Sequence, residues 1–98
     1  MSDLKRIICT VISDLLGPDP VEVITDNRDR IAWELSRSRE RWPKPEEAPT
    51  LWATFIAWHA LKRTGRLTCD FDSFNTQTSD VQATAEDVDP TRTAPAVA

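Results

Sequence analysis

The chain has 98 residues, a formal net charge of −4 and 40% hydrophobic residues. This length holds one domain, and the composition is adequate for a packed core but not rich. A pI of about 4.9 argues against a nucleic-acid-binding protein, because such domains are usually basic. The charge is uneven, since residues 28–66 carry nine basic and five acidic side chains and residues 67–98 carry one basic and six acidic. A basic middle beside an acidic end favours contacts with proteins.

The first segment predicts a helix over residues 3–16. Its apolar side chains recur at the three- and four-residue spacing of one helix face, and they are Leu4, Ile7, Ile8, Val11, Ile12, Leu15 and Leu16. Gly17-Pro18 is a typical helix end. Such a face either packs on the core or pairs with a second copy. Residues 21–25 are rich in β-branched side chains, but no partner strand is evident, so we predict an extended linker.

A second helix is predicted over residues 27–42, with Asp26 as its N-cap and Pro43 as its stop signal. One stripe of this helix comprises Ile31, Leu35, Ser38 and Trp42. Trp33 lies off that stripe and in register with Arg30 and Arg37. Two explanations stay open: arginine stems cover the indole as a cation–π pair, or Trp33 contacts a partner.

The third predicted helix, over residues 49–64, is the most informative part of the chain. Residues 51–61 are apolar almost all the way round, with Thr54 and His59 as the polar exceptions. An ordinary surface helix has a narrower apolar stripe. The helix therefore either lies in the centre of the fold or keeps a face for another protein, and the small size of the chain favours the second alternative.

The end of the chain predicts little further structure. Residues 70–75 suggest a short helical turn whose Phe71 and Phe74 hold the chain against the domain. Residues 78–98 are small, polar and acidic with no aromatic side chain, which predicts a disordered tail. The sequence thus predicts an all-α fold: a small bundle of three main helices in a domain of residues 1–77, followed by a tail at 78–98 whose deletion should leave folding intact.

No catalytic, cofactor or metal motif is evident. His59 has no nucleophile or carboxylate at a spacing that would orient it, so we expect a structural or interface histidine and no enzyme activity. Cys9 and Cys69 lack zinc spacing and are expected to be reduced thiols in a cytoplasm. A helix-turn-helix is disfavoured because the connector before the third helix has seven residues and three prolines.

Half of the chain, residues 26–75, resembles the tail assembly chaperones of long-tailed bacteriophages that infect actinobacteria. The residues that carry the resemblance are Asn27-Arg28-Asp29, Trp33-Glu34, Trp42-Pro43, the run from Ala48 to Gly65, and Phe71-Asp72-Ser73-Phe74. Asp89-Pro90-Thr91 near the acidic end is also similar to that family. The resemblance implies a non-enzymatic protein that binds the tape measure protein and keeps it soluble during tail morphogenesis. It also implies a possible partner, because many members are made with a longer form of the same chain through a ribosomal frameshift.

The expected role is therefore an oligomeric chaperone in the host cytoplasm that is absent from the mature virion. A chaperone of this kind needs exposed apolar surface, and aromatic and arginine side chains contribute most at interfaces. The expected client or subunit contacts are Trp33, Trp52, Phe55, Trp58, His59 and Arg63. For Phe55 the core is the favoured place. The alternatives are a small helical structural or adaptor protein of the virion and, less favoured, a DNA-binding regulator.

Overall fold

The computed structural model describes residues 5–87 and has a mixed α/β fold, so the predicted all-α bundle is wrong. One antiparallel sheet of three strands is combined with three helices. The elements in chain order are β1 (Lys5–Ser13), a 3₁₀ turn (Asp14–Leu16), β2 (Val21–Thr25), α1 (Asn27–Glu40), α2 (Pro49–Arg63), α3 (Phe71–Gln77) and β3 (Thr78–Asp87).

The predicted helix over 3–16 is instead the central strand β1 and the turn after it. Burial alternates along the strand, with Cys9, Val11 and Ser13 buried and the residues between them more exposed. The helical spacing of the apolar residues was misleading. Most of them are β-branched, and such side chains lose rotamer freedom in a helix but pack well on a sheet.

The predicted extended linker over 21–25 is strand β2, which pairs antiparallel with β1. Val23 lies opposite Cys9 and Val21 lies opposite Val11, so buried residues face buried or partly buried ones. The two strands are connected through Gly17, whose φ of 96° lies in the left-handed region that glycine tolerates. The partner strand that the sequence pattern did not reveal is therefore β1 itself.

The predicted disordered tail is wrong for residues 78–87, which form strand β3 on the other side of β1. Its register places Ala83 opposite Cys9 and Val81 opposite Val11. The pairing shifts at Ser13, whose hydroxyl donates to the carbonyl of Gln77 at 3.1 Å. The remaining part of the predicted tail, residues 88–98, lies outside the described residues.

The two middle helices lie where the sequence predicted them. Asp26 caps α1, accepting a hydrogen bond from the Arg28 N–H at 2.9 Å, and its own N–H donates to Asp29 Oδ2 at 2.8 Å. This reciprocal arrangement is a capping box. Helix α2 begins with Pro49 in its first turn, a position where the missing N–H of proline costs nothing.

Helix α2 lies in the centre of the fold, so the first of the two alternatives for its apolar surface is correct. It contacts all three strands on one side and packs against α1 and α3. Seven of its residues are buried: Ala53, Thr54, Phe55, Ile56, Ala57, Ala60 and Leu61. The short side chains allow the helix to approach the sheet closely, and the Cys9 thiol lies 3.9 Å from the carbonyl oxygen of Ala53.

The described residues cover one face of the sheet and leave the other face open. The opposite face, which we call the outer face, carries Ile8, Thr10 and Ile12 of β1 beside Ile24 of β2. Ile24 is 53% exposed and Ile12 is 41% exposed. An ion pair between Arg6 and Glu86, with nitrogen and oxygen 3.2 Å apart, lies at one end of this face. Antiparallel sheets tolerate one solvated face, but a solvated face is usually more polar than this one.

Candidate functional site

Trp52 lies at an open groove between the start of α2 and strand β3. The groove has a volume of about 370 Å³, and its lining comprises Pro49, Thr50, Trp52, Ala53, Val81, Gln82 and Ala83. Ala83 and Ala85 of the edge strand β3 are exposed on the sheet face that packs on α2 at β1, so this part of β3 is left uncovered. Trp52 is partly buried and borders the core, so one part of its ring is held and another part is accessible.

The other expected aromatic contacts lie in one cluster inside the protein. Trp33 is only 2% exposed, and its ring stacks on Trp42 with centroids 5.5 Å apart. Phe55 is buried at the centre of the cluster, as favoured from the sequence, and contacts Trp42, Trp58 and Phe71 at centroid distances between 5.4 and 5.8 Å. Trp33 therefore offers almost no surface to a partner. No arginine stems cover it as a cation–π pair among the described residues; the described pair of this kind joins Lys62 and Trp58.

The cluster has an open side, and the sequence reasoning missed two of the residues there. Trp42, Trp58 and Phe71 are partly exposed and border a cavity of about 290 Å³. Trp42 follows Arg41, the left-handed C-cap of α1, and precedes Pro43. The chain therefore turns away from the helix axis just before Trp42. Phe71 and Phe74 of α3 do hold the chain against the domain, as predicted, and Phe74 is fully buried. The sequence signal for Trp42 is its place just before Pro43 at the end of a predicted helix, where the chain must leave the helix.

His59 and Arg63, the two polar residues of the expected contact set, both bind the carboxylate of Asp29. The Asp29 side chain is fully buried, whereas that of His59 is 28% exposed. Nδ1 of His59 lies 2.6 Å from Oδ1 of Asp29. Arg63 donates from Nε to Oδ1 at 3.1 Å and from Nη2 to Oδ2 at 2.9 Å, which is a bidentate pair.

The electrostatics of Asp29 follow from its position at the first turn of α1. Burial acts to raise the pKa of this carboxyl, but hydrogen bonds from Arg63 and His59 and from the Asp26 N–H outweigh it, so the pKa lies below its ordinary value. The positive end of the helix dipole acts in the same direction. A buried charge is tolerated when it is paired and hydrogen-bonded in this way. The network therefore fixes α1 against the end of α2.

An aspartate that orients a histidine is also found in catalytic sites, where the histidine activates a nucleophile. Within residues 5–87, His59 forms its side-chain hydrogen bond with Asp29 and not with a nucleophile. Burial raises the pKa of the Cys9 thiol to about 12, with the Asp29 charge as a further cause. Such a thiol is a poor nucleophile at neutral pH, because the thiolate is the reactive form.

The cysteines and acidic residues of the same span do not form a metal site. Cys9 and Cys69 are both free thiols. Across residues 5–87 no group of three or more histidine, cysteine or acidic residues is arranged to hold a metal ion. None of the helices described in that span has the length and apolar character needed to cross a membrane.

Comparisons with known proteins give no family. No protein-family model matches the chain, and neither the curated proteins nor the solved structures contain a match.

Proposed function

We propose that this chain is a non-enzymatic chaperone of bacteriophage tail assembly, which binds the tape measure protein and keeps it soluble. The observation that carries the proposal is the groove at Trp52, whose mostly apolar lining comes from the start of α2 and the edge strand β3. The resemblance of residues 26–75 to tail assembly chaperones implies that the client is the tape measure protein. The chaperone acts in the host cytoplasm and leaves before the virion is complete.

The groove fits the way such a chaperone must bind. Its volume of about 370 Å³ accommodates one or two apolar side chains but not a whole helix. Burying a large apolar side chain contributes about 1.5–3 kcal/mol. A client with many exposed apolar side chains is then held at several weak sites, and each site can be released as tail-tube subunits replace the chaperone. No strict sequence code is required, because apolar burial is not directional.

The outer face of the sheet supports the proposal that the chaperone associates with itself. Ile8, Ile12 and Ile24 form an apolar strip that one polar row interrupts: Ile8 pairs with Ile24, and Ile12 lies further along β1, beyond the row of Thr10 and Glu22. Exposed apolar patches of this kind are typical of protein contacts. A second copy, or a longer frameshifted form that contains the same strands, would cover the strip. The groove lies beyond the opposite face of the sheet, so association leaves it accessible.

Co-expression tests the proposal directly. The tape measure protein of the phage that encodes this chain is produced with and without the chain, and the soluble fraction is measured after centrifugation. We expect the tape measure protein to be soluble only in the presence of the chain and to co-purify with it. An equally insoluble client in both samples would contradict the proposal.

Purified phage particles distinguish the chaperone from a virion component. Mass spectrometry of particles should detect the tape measure protein but not this chain. Retention of the chain at a fixed ratio to tail proteins would instead identify a structural or adaptor protein of the virion.

A further inference from the structure

A second cavity, separate from the Trp52 groove, opens where α1 ends, α2 passes and α3 begins. Its volume is about 290 Å³. Its apolar wall is aromatic and is formed by Trp42, Phe55, Trp58 and Phe71. The ring of Phe71 lies 5.8 Å from that of Trp42 and 5.6 Å from that of Trp58, measured between centroids. Three partly exposed rings, from the segment after α1, from α2 and from α3, therefore converge on one opening.

The rim of this aromatic cavity carries a net negative charge. Its charged residues are Arg39, Glu40, Asp70 and Asp72. Arg39 is engaged locally, with Nε 3.4 Å from Oε2 of Glu40 and Nη2 3.3 Å from the Ser36 hydroxyl. Arg39 and Glu40 largely offset one another, and the nearby charge of Lys62 acts on Asp70, so one carboxylate charge remains in excess. Hydrogen bonding from Ser73, whose N–H donates to Oδ1 at 2.8 Å, holds the pKa of Asp70 below its ordinary value.

One ring of the wall already attracts a cation from within the chain. The Lys62 ammonium lies 5.2 Å from the centroid of the Trp58 ring, within the range of a cation–π interaction. The indole N–H of Trp58 donates to the carbonyl of Cys69 at 3.0 Å. This hydrogen bond fixes the ring in the orientation that it presents to the cavity.

We propose that the aromatic cavity binds a basic side chain, arginine or lysine, from a partner protein. The apolar stem of such a side chain packs on the rings, and its charged end reaches the carboxylates of Asp70 and Asp72. A neutral apolar side chain would bury against the same rings but would leave the rim charges without compensation. The negative rim therefore decides in favour of a cation.

This site goes beyond the proposed chaperone function, because apolar capture at the Trp52 groove requires no basic residue in the client. It also stands on its own residues whatever the client is. A partner that combined an apolar side chain in the groove with a basic side chain in the cavity would be held at two places on α2, and two linked contacts bind more tightly than either alone.

Nuclear magnetic resonance tests the proposal on the full chain with a small probe. Nα-acetyl-arginine methylamide is titrated to tens of millimolar, and the indole N–H signals of the tryptophans are followed. We expect saturable shifts at Trp42 and Trp58, with Trp52 as the internal control that stays unshifted. The norleucine derivative, which has a similar stem and no charge, should produce much smaller shifts. Equal shifts with norleucine, or none with arginine, would overturn the proposal.

A matched pair of variants tests the role of the rim charge. Asp72→Asn removes one exposed carboxylate from the rim, and we expect binding of the arginine probe to weaken about two- to fivefold. Glu22→Gln makes the same charge change on the outer face of the sheet, where Glu22 is exposed, and should leave binding unchanged. Equal weakening by both variants would show that only the overall charge matters. Unchanged binding in Asp72→Asn would also refute the site.

Discussion

The carboxylate of Asp29, fully buried in the first turn of α1, accepts two hydrogen bonds from the guanidinium of Arg63 in the last turn of α2. The two residues are 34 positions apart in the chain, yet their side chains form a bidentate pair. His59 completes the arrangement from the preceding turn of α2. The start of one helix is thereby fixed to the end of the other by a single buried charge.

Arg63→Met should therefore destabilise the protein strongly. The variant keeps most of the apolar stem but leaves Asp29 without its charge partner, and breaking a buried pair in this way costs about 3 kcal/mol. The free energy of unfolding from urea titration measures the loss. Arg28→Met is the matched control, because the Arg28 pair with Asp26 is largely exposed and should matter far less. Equal losses in the two variants would contradict the structural role given to Asp29.

Stability should fall at acid pH because two carboxyls at the start of α1 have lowered pKa values. A hydrogen bond from the Arg28 side chain is the main cause that lowers the pKa of Asp26 to about 2. For Asp29 burial opposes the shift, but the bonds from Arg63 and His59 outweigh it. The unfolded chain therefore binds these protons more tightly than the folded chain, so stability rises with pH in this range.

The pH window follows from the two states. Unfolded aspartates titrate at about pH 3.9, so the stabilisation is complete above about pH 5 and is lost as the pH falls towards about 2. Urea titrations over this range should show a falling free energy of unfolding. Asp29→Asn should have a shallower acid slope than the parent chain. A parent profile that stays flat over the whole window would be inconsistent with the ion pairs.

Deletion of residues 78–98 should now unfold or strongly destabilise the protein, in contrast to the expectation from the sequence. The truncation removes β3, so β1 loses all of its pairing on one side and becomes an edge strand. A two-stranded sheet is marginal in water. Deletion of residues 88–98 is the control and should preserve the cooperative transition. Circular dichroism during heating measures both, and a transition unaffected by the longer deletion would show that β3 contributes little.

The strands were not predicted because each depends on partners that are distant in sequence. The inward-facing Ile7, Cys9 and Val11 of β1 alternate with an outer-face set that is also mostly apolar, so no clear two-residue period is visible. A short apolar run of this kind does not decide between a strand and a helix. Strand β3 has almost no large apolar residue, since Val81 is its main contribution to the sheet face that packs on α2. Strand β3 is held mainly by its backbone hydrogen bonds to β1. The helices α1 and α2, in contrast, carry local caps and prolines, and those signals were sufficient.

The candidate sites were predictable only in part for a related reason. Aromatic residue type identified Trp52 and Trp58, which do reach the surface, but it could not show that Trp33 faces inward. Trp33 lies off the apolar stripe of α1, and a helix bundle would bury that stripe and leave Trp33 outside. With α1 packed against α2, Ile31 and Leu35 of that stripe are exposed instead. An incorrect fold class therefore inverted the inner and outer faces of α1.

Trp52→Ala should separate client binding from folding. Trp52 borders the core but is partly exposed at the groove, so its truncation should cost about 1–2 kcal/mol of stability and preserve the fold. An aromatic anchor at an interface contributes roughly 2 kcal/mol, which is about a thirtyfold loss of affinity for the tape measure protein. Co-purification yield and urea titration measure the two effects.

Leu35→Ala is the matched control for this variant, because Leu35 is 65% exposed on α1 and lies outside the groove. It should keep both the client and the fold. If Trp52→Ala instead lost its cooperative unfolding transition, the indole would belong to the core, and the groove would need another anchor. If both variants lost the client equally, binding would depend on exposed apolar area in general, because apolar contact alone is not directional.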